Sequence, residues 1–98
     1  MIKVNIFSVA KTDMEQIYDY IAFDNRYEAS KMLDKFEKAF EQLSQFPKSG
    51  SFILDKRLKK KGYRKLVVDN YIVIYRETND EVQVLHVKNG AMRYMDLL

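Results

Sequence analysis

Gly62-Tyr63-Arg64-Lys65-Leu66-Val67-Val68-Asp69-Asn70-Tyr71-Ile72-Val73-Ile74-Tyr75-Arg76, followed after a short break by Val82-Gln83-Val84-Leu85-His86-Val87, reads as three consecutive strands. Most of these residues are β-branched or aromatic, and Asp69-Asn70 and Thr78-Asn79-Asp80 stand where hairpin turns fall. In the middle segment Tyr71, Val73 and Tyr75 point one way while Ile72 and Ile74 point the other. Both faces of that strand are apolar, which predicts a central position. One face is expected to carry helices, and the other to be a concave, partly aromatic surface open to a partner.

Upstream, Ile2, Val4 and Ile6 alternate with Lys3 and Asn5, the pattern of a half-buried strand. Thr12-Asp13-Met14-Glu15 has the spacing of a capping box, which predicts a helix over 12–23 with Met14, Ile17, Tyr18 and Ile21 on one face. Asp24-Asn25 breaks that pattern and can cap a second helix over 26–46, in which Ala29, Leu33, Phe36, Phe40 and Leu43 recur at steps of four and three. Pro47 and Gly50 bound it. The short connection makes the two an antiparallel hairpin. The expected fold is therefore α+β: an antiparallel sheet of about four strands packed on an N-terminal helix hairpin, with a short C-terminal helix, all in one domain over 1–98.

The chain has 98 residues, no Cys and one His, which excludes disulfides, thiolate metal sites and a cysteine nucleophile. No metal and no cofactor is expected. With no apolar run long enough to span a bilayer, the chain reads as soluble and cytoplasmic. Its net charge of +3 is unevenly distributed, because residues 55–65 hold seven Lys or Arg against one Asp. Such a run is either a solvated loop or a contact surface for phosphate or acidic peptide.

The order of elements, together with particular residues, resembles the RelE/ParE superfamily of bacterial type II toxin–antitoxin systems. The resemblance rests on Asp13, Ile17, Tyr20 and Ile21, on Leu43 to Gly50, on Gly62 to Leu66, on Asn70 to Arg76, and on Gly90 to Leu98. It implies a growth-arresting toxin held inactive by a cognate antitoxin with an acidic, partly disordered tail. RelE-like members cut messenger RNA on the ribosome, whereas ParE-like members bind and inhibit DNA gyrase, so the chain is an enzyme on the first reading and not on the second. A third reading is a non-toxic or decayed interaction module.

Attack of a ribose 2′-OH on phosphate needs a proton acceptor, a proton donor and a cation. RelE-like members draw these from the concave face, and the resemblance maps that role onto Arg64, Lys65, His86 and Arg93. Two departures weigh against it. The position after the opening aromatic Tyr71 is Ile72, and Gly90 is followed by Ala91-Met92 where the family commonly has basic residues. His86 and Tyr94 are the remaining proton-transfer candidates, each with a structural reading beside it: a hydrogen-bonding His in a strand, a Tyr packed on the sheet. Arg64 could bind phosphate, or pair with Asp69 or Glu77. These departures favour the ParE-like reading. Partner contacts are expected at Lys56, Arg57, Lys59, Lys60, Lys61, Arg64, Tyr71 and Tyr75, with gyrase as target, or ribosome and mRNA on the alternative, and no membrane.

Overall fold

A computed structural model describes residues 1–91. In chain order it comprises β1 (Lys3–Ile6), α1 (Ser8–Ala22), α2 (Arg26–Gln45), β2 (Ser51–Phe52), α3 (Lys56–Lys60), β3 (Arg64–Val68), β4 (Tyr71–Glu77) and β5 (Glu81–Asn89). The sheet has five strands in the order β1-β5-β4-β3-β2, and β4 lies at its centre as its two apolar faces require. Four strands form the antiparallel series; β1 instead pairs parallel with β5, Lys3 opposite Glu81 and Ile6 opposite Val84. The expected C-terminal helix, with Arg93 and Tyr94, lies outside the described residues.

The helix hairpin forms, with one correction. α1 begins at Ser8, four residues ahead of the expected start, and its N-cap Phe7 has no side-chain cap. Thr12 and Glu15, the two residues of the expected capping box, are thus inside the helix, and Asp13 between them is buried. α2 starts where Asn25 accepts a hydrogen bond from the Glu28 amide at 3.1 Å. Its buried stripe is Ala29, Met32, Phe36, Ala39 and Leu43, of which Met32, Phe36 and Leu43 pack in one cluster with Val73, Tyr75, Val82, Val84 and Val87. Ile17, Ile21, Leu33 and Phe40 seal the margin half-buried.

The opposite face of the sheet differs from expectation. It is covered where Ile72 and Ile74 emerge, because the chain between β2 and β3 folds back over them with Ile53, Leu58 and Tyr63. The basic run supplies this cover. Asp55 accepts hydrogen bonds from the Arg57 and Leu58 amides and caps one turn of helix, α3, which turns Leu58 inward and the lysines outward. Gly62, at φ 81°, ends that turn in the left-handed conformation that glycine adopts most readily.

A bulge decides which residues of β5 face the helices. His86 lies opposite Ile74 and Val84 opposite Tyr75, so Leu85 is an extra residue without a partner. Strict alternation from Val82 and Val84 would put His86 in the core, and the bulge puts Val87 there instead.

Phe36 is fully buried and meets Tyr71 edge-to-face, with ring centres 5.9 Å apart. Phe36→Ala should lower unfolding free energy by about 3–5 kcal/mol, and Phe40→Ala, at the half-buried margin, by clearly less. Denaturant titration of the two variants checks the order.

Candidate functional site

Four arrangements outside the core combine polar or exposed groups. The first is the sheet end around Arg64. Its guanidinium donates to the Gly50 carbonyl at 2.8 Å and lies over the Phe52 ring, 3.9 Å from its centre. Neither expected carboxylate is its partner, since Asp69 pairs with Lys35 at 2.7 Å and Glu77 with Lys48 at 3.8 Å. Beside it the fully buried Tyr75 hydroxyl donates to the Pro47 carbonyl and accepts from the Gly50 amide, at 2.8 and 2.9 Å. Burial pushes this phenol up, so it stays protonated at neutral pH. A Cβ on Gly50 would lie 2.5 Å from the Lys65 carbonyl, so only glycine fits here. Arg64 and Tyr75 together therefore hold the Pro47–Gly50 loop, and Tyr75 is withdrawn from the set of partner contacts.

The second arrangement centres on Asp13, 6 % exposed, which stands between Thr12 and Glu15 of the expected capping box. β1 ends at Ile6, and beyond Val84 the outer edge of β5 has no strand beside it. Asp13 reaches that edge from α1, accepting from the Val87 amide at 3.0 Å and from Lys88 Nζ at 2.9 Å. His86 Nδ1 is 3.6 Å from the same carboxylate, buried and too far for a hydrogen bond. Burial lowers the His86 pKa, and the charge of Asp13 only partly opposes this. The signal in the sequence was a carboxylate at a position of α1 in line with Ile17 and Ile21, where the helix otherwise buries apolar side chains.

The third is an apolar groove of about 510 Å³ between α1, α2 and β1. Met14, Tyr18, Leu33, Phe36 and Phe40 line it, with Lys11, Glu15, Asp19 and Glu37 among them. The fourth is the outer face of α3. There Lys56, Lys59, Lys60 and Lys61 are exposed and make no ion pair with any described residue, while Arg57 is drawn to Asp55 at 3.4 Å. Of the other expected contacts, Lys65 lies half-buried in β3 opposite Ile74, and Tyr71 is half-buried against Phe36. Arg64 and Lys65 are neighbours on β3 and His86 lies on β5; Arg64 faces the helix side with Tyr75 and Lys65 the opposite side, so the three do not meet around one point.

Residues 7–94 match the family model of the ParE toxin of the type II toxin–antitoxin system parDE. The chain belongs to the ParE toxin family. Its fold is similar to that of a chain in the solved structure of the chromosomal ParDE toxin–antitoxin system from P. aeruginosa, with a TM-score of 0.74 and 21 % identity over 91 % of this chain and 96 % of that one. No curated protein matches the sequence. As in the sequence reading, then, this is a ParE-family toxin with an α+β fold, and its system implies an antitoxin partner. Among the described residues no helix is long and apolar enough to cross a membrane, and no group of three His, Asp or Glu side chains is placed to hold a metal.

The Asp13 cluster yields a pH prediction. The folded His86 pKa lies below the ordinary value of about 6.5, so the unfolded chain binds the proton more readily. The neutral imidazole's contribution is complete above pH ~6.5 and is lost as pH falls through the lower folded pKa. Unfolding free energy should therefore decline from pH 7 toward 5.5, with a shallower slope in His86→Asn. Asp13→Ala should cost about 1–3 kcal/mol by stranding the Val87 amide, and Asp13→Asn less, because an acceptor oxygen remains. Chemical denaturation across that pH range measures both.

Proposed function

We propose that this ParE-family toxin arrests growth by binding and inhibiting DNA gyrase in the cytoplasm, and that a cognate antitoxin with an acidic, partly disordered tail neutralises it. The observation that carries the choice of target is the commitment of Arg64. Its guanidinium is engaged by the Gly50 carbonyl and the Phe52 ring, Ile72 belongs to a buried cluster, and the Nδ1 of His86 is buried beside Asp13. An endoribonuclease needs acceptor, donor and cation at one phosphate, and each missing proton-transfer group costs on the order of 10²–10⁴-fold in rate. Inhibition by binding needs none of them.

The antitoxin contact has two complementary parts on this reading. The groove between α1, α2 and β1 suits the apolar face of an amphipathic helix, and the lysines of α3 suit the carboxylates of a tail. Arg57, already drawn to Asp55, contributes less than Lys56, Lys59, Lys60 and Lys61.

Induced expression should stop growth with double-strand DNA breaks and an SOS response, while messages on ribosomes stay intact; the purified toxin should block supercoiling by gyrase. Cleavage at defined A-site codons, lost in folded Arg64→Ala or His86→Ala variants, would replace the gyrase reading by the ribosome-dependent one.

Charge reversal of Lys59, Lys60 and Lys61 should slow antitoxin association and flatten its salt dependence. Stopped-flow association at several ionic strengths measures this. An unchanged rate at low salt would assign the basic face to another partner, nucleic acid first.

A further inference from the structure

Of the α1 residues on which the family resemblance rests, Asp13, Ile17 and Ile21 serve the fold, whereas Tyr20 is 80 % exposed. Its hydroxyl makes no hydrogen bond with any described residue. Phe23, at the C-cap of the same helix, is 96 % exposed, and Tyr27, at the start of α2, is 70 % exposed. Three aromatic side chains within eight positions thus stand in solvent at the tip of the hairpin, and none of them belongs to the core. A single exposed apolar residue needs no explanation, but grouped aromatics of this kind mark contact surfaces.

Tyr20 and Phe23 line a recess of about 480 Å³ that Ile21, Asn25, Asp24 and Glu28 complete. No cation lines it. Asp24 has no ion-pair partner among the described residues, and Glu28 meets only Lys31, at 3.7 Å and with both side chains about half exposed. The lining combines aromatic rings with carboxylates, the chemistry that holds a cationic side chain. A planar guanidinium can stack on such rings and donate to such carboxylates at once.

The recess is separate from the groove assigned to the antitoxin. α1 lines that groove with Lys11, Met14, Glu15 and Tyr18, whereas Tyr20 shares another side of the helix with Asp13, Gln16 and Ile17. An acidic tail meets repulsion at Asp24 and Glu28, and attraction at the lysines of α3. A second copy of this chain could offer those lysines, but such a head-to-tail contact between two different patches leaves a free recess at the end of every open assembly. Gyrase acts on DNA, and proteins that bind DNA meet its phosphates with exposed lysine and arginine.

We propose that the tip of the α1–α2 hairpin, with Tyr20, Phe23, Asp24 and Glu28, is the toxin's contact for gyrase and takes a cationic side chain of that enzyme, arginine first. This rests on the gyrase reading above, and adds to it the place and the chemistry of the contact.

The test measures, for one set of variants, binding to the purified gyrase holoenzyme, inhibition of supercoiling, and binding to the antitoxin that neutralises the toxin in cells. All the changed side chains are exposed, so circular dichroism and thermal midpoint should match the parent. Tyr20→Ala and Phe23→Ala should each weaken gyrase binding at least about tenfold, as the loss of a central aromatic contact does, and Tyr20→Phe, which keeps the ring, should not. Asp24→Asn should weaken binding at low salt and flatten its salt dependence, and Asp24→Lys should weaken it further. Antitoxin affinity should stay unchanged throughout. A Tyr20→Ala, Phe23→Ala double variant that binds and inhibits as the parent does overturns the tip contact and leaves the gyrase reading standing. An unchanged salt dependence in Asp24→Asn overturns the cationic assignment. Oligomers of the toxin alone that Asp24→Lys dissolves overturn the proposal in favour of self-association, and equal losses toward the antitoxin overturn it in favour of that partner. A parent toxin that does not bind gyrase removes the gyrase reading, and this contact with it.

Discussion

The carboxylate of Asp13 is the constraint on which the rest of the arrangement depends. It is buried, and it accepts from the Val87 amide on the edge of β5 beyond the end of β1. Without an acceptor there, the Val87 amide would be buried unpaired at the point where α1 crosses the sheet. By accepting from that amide and from Lys88, Asp13 fixes the axial position of α1, and with it the hairpin partner α2. The groove between α1, α2 and β1 has its shape because that helix is pinned at both its turn from β1 and its first buried polar residue. A hydrophobic residue at position 13 could fill the space but could not set the register.

The strands and helices were legible in the sequence wherever a local pattern and the tertiary environment agree. β4 with its two apolar faces, the hairpin turn at Asp69-Asn70 and the Asn25 cap are examples, each decided by residues close together in the chain. Legibility failed where a distant group decides. The Thr12–Glu15 spacing suggests a cap, yet α1 begins at Ser8 without a side-chain cap, and Asp13 serves a strand 74 residues away. The facing of His86 is set by an extra residue, Leu85, whose bulge leaves no mark in the alternation of Val82 and Val84. The basic run was readable as charge but not as a cover for the sheet, since the only clue was a single leucine among lysines, Leu58.

Arg64 shows the same limit at the candidate site. Its residue type, its strand and its neighbours all suit phosphate, and nothing local says that a backbone carbonyl fourteen positions earlier and the Phe52 ring engage it. The stacked ring and the planar fork together do what neither a lysine nor an isolated salt bridge could, holding a two-residue strand in place. The family's surface positions are thus divided here between those that shape the scaffold, Arg64 and Tyr75, and those that remain outward, the lysines of α3.

The parallel pairing of β1 with β5 joins the first strand of the described chain to the last, Lys3 to Glu81. During synthesis β1 and the two helices leave the ribosome well before their partner strand exists, and the core face of α2 has no sheet to pack on until β4 and β5 follow. Closure of so long a loop comes late on physical grounds, because its entropy must be overcome before the distant contacts repay it. A nascent chain of this topology therefore carries an amphipathic hairpin without its sheet until β4 and β5 have been made, and acquires its finished surface only once they pair. Any protein able to recognise that hairpin meets it before the fold is complete.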